Sequence, residues 1–193
     1  MKNTITDPFM SELLLAARDA LMDEEAQLAG AFAQRPRPRT RFQTDRHGDQ
    51  MQGLAYQVYE TTLCYAIFKR WLGIADDVLW DWHPKLATGR LVDLQVARPG
   101  SLYRFEAKWW ARADTLDDDR AKLSQLRDSK NCLLAFWWAE EKPEYHERDA
   151  KAIVDMEARL HTLGAFATSF STRSHPDVIP KEWYFGFAAF ELS

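Results

Sequence analysis

Cysteine is scarce in this chain. Cys64 and Cys132 are the two thiols, and each lies inside an apolar run. That count and spacing exclude a disulfide framework and a zinc site built on paired cysteines, so both read as buried free thiols. Long apolar runs are missing too. None approaches the roughly 20 residues that a membrane span requires. No signal-peptide pattern opens the chain, and residues 1–8 are polar. The expectation is therefore a cytoplasmic protein with no membrane partner. Nor is there an excess of positive charge. The formal net charge is −4, so the overall balance does not announce a nucleic-acid binder, although a local basic patch can serve that purpose. No internal repeat is visible.

What is present is enough chain, at 193 residues, for one domain with one core. Eight tryptophans can fill that core or form stacking surfaces. Asp7-Pro8 reads as a helix start. Phe9, Leu13, Ala16, Ala17 and Leu21 then recur at helical spacing until about Gln34. Arg35-Pro36-Arg37-Pro38-Arg39-Thr40-Arg41 follows; its prolines forbid helix, and it reads as an extended basic linker. A second helix is predicted over 49–72, with Tyr56, Tyr59, Leu63, Ile67 and Trp71 on its apolar face and Gly73 as its stop.

Beyond Gly73 the period changes to that of strands. Strands are predicted over 78–82, 90–96 and 102–110, the last two joined by a turn at Arg98-Pro99-Gly100-Ser101. A helix from Asp114 or Thr115 to about Asp128 and a buried strand over 131–138 come next. A helix over 147–163, ended by Gly164, and two aromatic strands over 165–170 and 183–190 complete the pattern. This order argues for an α/β domain with a mixed sheet flanked by helices. It is a single domain, 1–193. Residues 1–34 form an appended N-terminal helix, 35–47 the linker, 48–140 the core, and 141–193 a C-terminal helix and strands.

The informative stretch is Arg90-Leu-Val-Asp93-Leu-Gln-Val, a turn, and Tyr103-Arg-Phe-Glu106-Ala-Lys108-Trp-Trp110. Side chains alternate along a strand, so Glu106 and Lys108 share one face while Phe105, Ala107 and Trp109 take the other. Asp93 and Gln95 are expected opposite Val92, Leu94 and Val96. The hairpin brings the Asp93 carboxylate towards that of Glu106. Two adjacent carboxylates repel unless a cation sits between them. Hard oxygen ligands favour Mg²⁺ or Mn²⁺. Such an ion polarises a phosphoryl oxygen, and Lys108 adds positive charge beside it.

Asp93, the turn, and Glu106-Ala107-Lys108 on a hydrophobic strand resemble the PD-(D/E)XK nuclease superfamily, whose members share a mixed sheet flanked by helices. The resemblance spans about residues 53–138. It implies a restriction endonuclease-like fold and divalent-metal-dependent cleavage of nucleic acid, with DNA as the expected substrate. It implies Asp93 and Glu106 as metal ligands, joined by Glu60 on the second helix and by the Ala107 backbone carbonyl. Lys108 is the implied catalytic cation. Gln125 and Lys122 match a position that some branches use on the following helix. Val92 stands where the motif has its proline. Many small members work as pairs, and the amphipathic first helix offers a surface for a homodimer.

Each of these residues also has a plainer account. Glu106 and Lys108 can form a solvated cross-strand charge face. Glu60 can be a residue at the edge of the apolar stripe paired with Lys or Arg, and Gln125 an ordinary polar helix residue. Arg35, Arg37, Arg39 and Arg41 can contact phosphates, as can Lys122, or they can simply keep a linker in solution. Asp81, in Trp80-Asp-Trp-His83-Pro84, competes for the role given to Asp93. The rival to an enzyme is a catalytically inactive protein of the same fold acting as a binding or immunity-type module.

Overall fold

The computed structural model describes residues 1–33, 60–80, 92–110, 116–172 and 182–193. The Arg35, Arg37, Arg39 and Arg41 linker lies outside these residues. So do Asp81, His83, the first half of the predicted second helix and the expected cap at Asp114 or Thr115.

Among the described residues seven strands form one mixed sheet: β1 (Lys2–Asn3), β2 (Asp77–Trp80), β3 (Leu94–Arg98), β4 (Ser101–Trp109), β5 (Lys130–Glu140), β6 (Gly164–Thr172) and β7 (Trp183–Leu192). Their order across the sheet is β1-β6-β7-β5-β4-β3-β2. Strands β2, β3 and β4 form an antiparallel meander. Its second turn is tight, because Arg98 pairs with Ser101 and leaves Pro99-Gly100 between them. Gly100 has φ 77°, a value open to glycine at little cost. Strand β5 lies parallel to β4, which requires a crossover. The helix α3 (Asp117–Leu123) lies on that crossover.

Among the described residues four helices cover the two faces. On one face Met10, Leu13, Leu14, Ala17 and Leu21 of α1 (Pro8–Ala33) and Leu63, Cys64, Ile67 and Trp71 of α2 (Glu60–Trp71) share a core with Leu94, Val96, Phe105 and Ala107. On the other, Leu123 of α3 (Asp117–Leu123) and Ile153, Met156 and Leu160 of α4 (Pro143–Leu160) pack with Leu133, Ala135 and Phe190. No described helix is long and apolar enough to cross a membrane.

The first helix is not an appendage. It begins as the sequence indicates, with the Asp7 carboxylate accepting a hydrogen bond from the Met10 N–H at 2.9 Å. But its apolar stripe packs into the core, with Leu13, Ala17 and Leu21 fully buried and Phe9 and Ala16 partly so, and Trp71 Nε1 donates to the Leu13 carbonyl at 2.8 Å. The surface offered for a homodimer is therefore consumed inside the fold.

Other boundaries shift for identifiable reasons. Strand β3 starts at Leu94, because the chain bends at Asp93. Val92 consequently packs with the core opposite to that of Leu94 and Val96, instead of sharing their face. Helix α3 stops at Leu123, well short of Asp128. The Asn131 amide donates to the carbonyls of Leu123 and Leu126, satisfying the groups that another helical turn would have used. Helix α4 begins earlier than expected, with Pro143 in its first turn, and ends on His161 in the left-handed region at φ 52°. Gly164 is not its stop but the start of β6. A Cβ there would lie 2.5 Å from the Thr4 carbonyl oxygen.

Leu14→Ala is expected to cost about 3 kcal/mol of unfolding free energy. Met22→Ala, on the exposed side of the same helix, should change it by less than about 0.5 kcal/mol. Urea denaturation of the two variants measures the difference, and equal small effects would return α1 to the status of an appendage.

Candidate functional site

Strand β4 runs four residues beyond the point where it meets the first residue of β3. Leu94 pairs with Phe105, and past it the β3 side of β4 has no strand partner among the described residues. Backbone N–H groups on that edge still require acceptors. Two carboxylates supply them. Asp93 Oδ2 accepts from the Ala107 N–H at 2.7 Å, and Glu60 Oε2, from the first turn of α2, accepts from the Trp109 N–H at 2.9 Å. The N–H and C=O of one strand residue point to the same edge, so the Ala107 carbonyl also faces this side.

Glu106 and Lys108 alternate with these positions and project towards α3. Glu106 is 7% exposed. Both of its carboxylate oxygens lie 2.7 Å from the Lys122 ammonium on α3. The Lys108 ammonium is 3.6 Å from Asp119 Oδ2, also on α3. That Asp119 oxygen is buried and makes no hydrogen bond among the described residues. Asp119 and Lys122 lie three residues apart, on the helix face that Leu123 buries.

The site thus gathers Glu60, Asp93, Glu106 and Asp119 around Lys108 and Lys122. The electrostatics show how close they lie. Burial, and secondly the Asp93 charge, push Glu106 up to about 7, against the opposing pull of Lys122. Burial also raises Asp93 and Glu60 above the usual carboxylate range, although each accepts a backbone N–H. Burial lowers Lys108, but Asp119 and Glu60 outweigh it and hold its ammonium above the ordinary value. Cys64 lies beneath the group. Burial, then Asp93, Glu60 and Glu106, push its thiol well up, so it is an inert neighbour and not a nucleophile.

Among the described residues no three His, Cys, Asp or Glu side chains stand ready to hold a metal ion. The carboxylates are turned elsewhere, to two backbone N–H groups and to Lys122. In donor chemistry the set nonetheless suits a hard divalent cation. All its acids present oxygen, and three of them have a raised proton affinity that a nearby cation would relieve.

The sequence-derived residues divide accordingly. Asp93, Glu106, Lys108 and Glu60 come together, and Lys122 joins them as the partner of Glu106. Gln125 does not: it is exposed, and its amide donates to the Ala121 carbonyl on its own helix. Asp119 is not among the residues the sequence singles out. Its spacing from Lys122 carries the signal, but only once the packed face of α3 is known. No family model matches the chain, and neither a curated protein nor a solved structure matches it at a significant level.

The pH dependence of stability follows from Glu106. Its ordinary value is 4.5 and its value in the fold is about 7, so between the two the folded state binds a proton that the unfolded state does not. The resulting stabilisation is complete below the lower value and is lost as pH rises through the upper one. Thermal midpoints should therefore fall between about pH 5 and about pH 8, and Glu106→Gln should flatten that decline. An unchanged slope in the variant would assign it to other groups.

Proposed function

We propose that this chain is a divalent-metal-dependent nuclease of the PD-(D/E)XK type that hydrolyses phosphodiester bonds of nucleic acid, with DNA as the expected substrate. The observation that carries the reading is the meeting of Asp93 and Glu106 where β3 begins against β4, with Lys108 two residues along on the Glu106 face. The surrounding order supports it: a helix bearing Glu60, a three-strand meander, a crossover helix and a parallel strand. That order is compatible with the mixed sheet flanked by helices that the resemblance implies.

Asp93 and Glu106 would hold Mg²⁺ or Mn²⁺, with Glu60 and the Ala107 carbonyl in support. When bound, the ion supplies positive charge for the phosphoryl oxygen and lowers the proton affinity of a coordinated water. The chain's own groups do the rest. Lys108, held by Asp119, presents a fixed ammonium to the charge that develops on the phosphate. Lys122 keeps Glu106 compensated while no other cation is near, and its release frees an ammonium for the substrate backbone.

A second reading is a nuclease-fold protein that no longer cuts and serves as a binding module. The Lys122 ammonium on both oxygens of Glu106 favours it, because a lysine so placed neutralises the carboxylate without any metal.

Incubation of circular DNA, linear DNA and RNA with the protein in Mg²⁺, Mn²⁺ or EDTA separates the two. The enzyme reading expects cleavage that EDTA abolishes and that falls at least about a hundredfold in Glu106→Ala and in Lys108→Ala. Absence of cleavage on every substrate, together with no calorimetric heat for Mn²⁺, would leave the binding module.

A further inference from the structure

A cavity of about 610 Å³ opens beside the acidic site, between α4 and the carboxyl ends of the parallel strands β4 and β5. Crevices at the carboxyl ends of parallel strands are where open α/β sheets bind their ligands, and the volume falls in the range of small-molecule sites. Trp110 is two residues beyond Lys108 and packs on the same side of the sheet, towards Trp137 and Phe190. The cavity therefore begins where the lysine-bearing strand ends.

Its walls are aromatic and fixed from behind. The Trp110 and Trp137 rings meet edge to face at 5.2 Å and 88°. Trp137 Nε1 donates to Asp149 Oδ2 at 2.6 Å, and the Tyr184 hydroxyl donates to the same oxygen. Indoles anchored in this way lose little freedom when a ligand arrives. A flat aromatic ring is the shape they accept, since every nucleobase offers a face for stacking.

The rim is charged. The Arg148 side chain is 57% exposed and pairs with Asp149 Oδ1; that of Arg159 is 44% exposed and pairs with Asp117. Ion pairs this exposed are weak. A phosphate, which accepts a guanidinium in bidentate fashion, can replace the carboxylate as partner. Asp149 would keep its bonds from Trp137 and Tyr184. Asp155, also at the rim, offers an acceptor to the amino groups of a base.

We propose that this cavity binds one unpaired nucleotide, with its base against the indoles and its phosphate at Arg148 and Arg159. As the nucleotide next to the cleaved bond it rests on the nuclease reading above, but binding itself needs neither metal nor cleavage. Titration of the ¹⁵N-labelled protein with 5′-mononucleotides in EDTA tests it, followed at the indole N–H signals. Those of Trp110 and Trp137 should shift saturably. That of Trp71, bonded to Leu13 on the opposite face, should stay still.

Ala152→Phe, which fills the cavity from α4, should abolish the shifts. Arg148→Gln should weaken nucleotide binding several-fold while leaving the affinity for the uncharged nucleoside unchanged. Glu106→Gln should keep the shifts intact. Stationary indoles with all four nucleotides would overturn the proposal, as would equal affinity of wild type and Arg148→Gln for nucleotide. Shifts without any cleavage would sink the nuclease reading and leave the cavity standing. Cleavage with stationary indoles would do the reverse.

Discussion

Strand β4 outlasts its antiparallel partner, and the molecule completes the unpaired edge with carboxylates where another protein would use backbone. Asp93 and Glu60 serve as acceptors for Ala107 and Trp109. That substitution fixes much else. It sets the bend at Asp93, ties the first turn of α2 to the end of β4, and draws acidic groups from two elements onto one strand. The backbone bonds hold negative charge in place in a half-buried setting, where it would otherwise be displaced into solvent or protonated.

Such a concentration of acids is stable only with compensation. Lys108 and Lys122 provide it from the two sides of the β4–α3 contact, each facing an acid on the other element. The pairs cross: a strand lysine meets a helix aspartate, and a helix lysine meets a strand glutamate. Helix α3 is therefore docked by charge as well as by Leu116 and Leu123. Incomplete compensation is visible in Glu106, whose proton affinity stays near neutrality despite two contacts with an ammonium. A site in this condition responds strongly to any added cation, whether or not it goes on to perform chemistry.

How far the sequence revealed this arrangement depended on whether a feature was local. The alternation of Phe105, Glu106, Ala107 and Lys108 assigned faces correctly, because strand geometry alone determines it. Pro99-Gly100 marked the hairpin because its turn chemistry is local as well. The bend at Asp93 was illegible: Leu-Val-Asp-Leu-Gln-Val reads as unbroken alternation, and only the Ala107 N–H across the hairpin turns it aside. The burial of α1 was hidden similarly, since an amphipathic stripe shows that a face will be covered and not by what. The early stop of α3 came from Asn131, a residue outside the helix altogether. The Asp149 network of Trp137, Tyr184 and Arg148 joins three separate elements and left no mark in the sequence.

The position of β7 bears on how the molecule assembles. It lies between β5 and β6, every one of its ten residues is buried, and among the seven strands it is the last in the chain. Until it is in place, β1 and β6 have no ladder to the other four strands, and β5 and β6 both present open edges. Non-local pairing of this kind raises contact order and slows folding, and open edges are where partly folded chains associate with one another. On a ribosome the meander that carries the acidic residues emerges well before the strand that unites the sheet. Completion of the sheet therefore waits until β7 has been made, and removing β7 would divide the sheet into two pieces rather than shorten it.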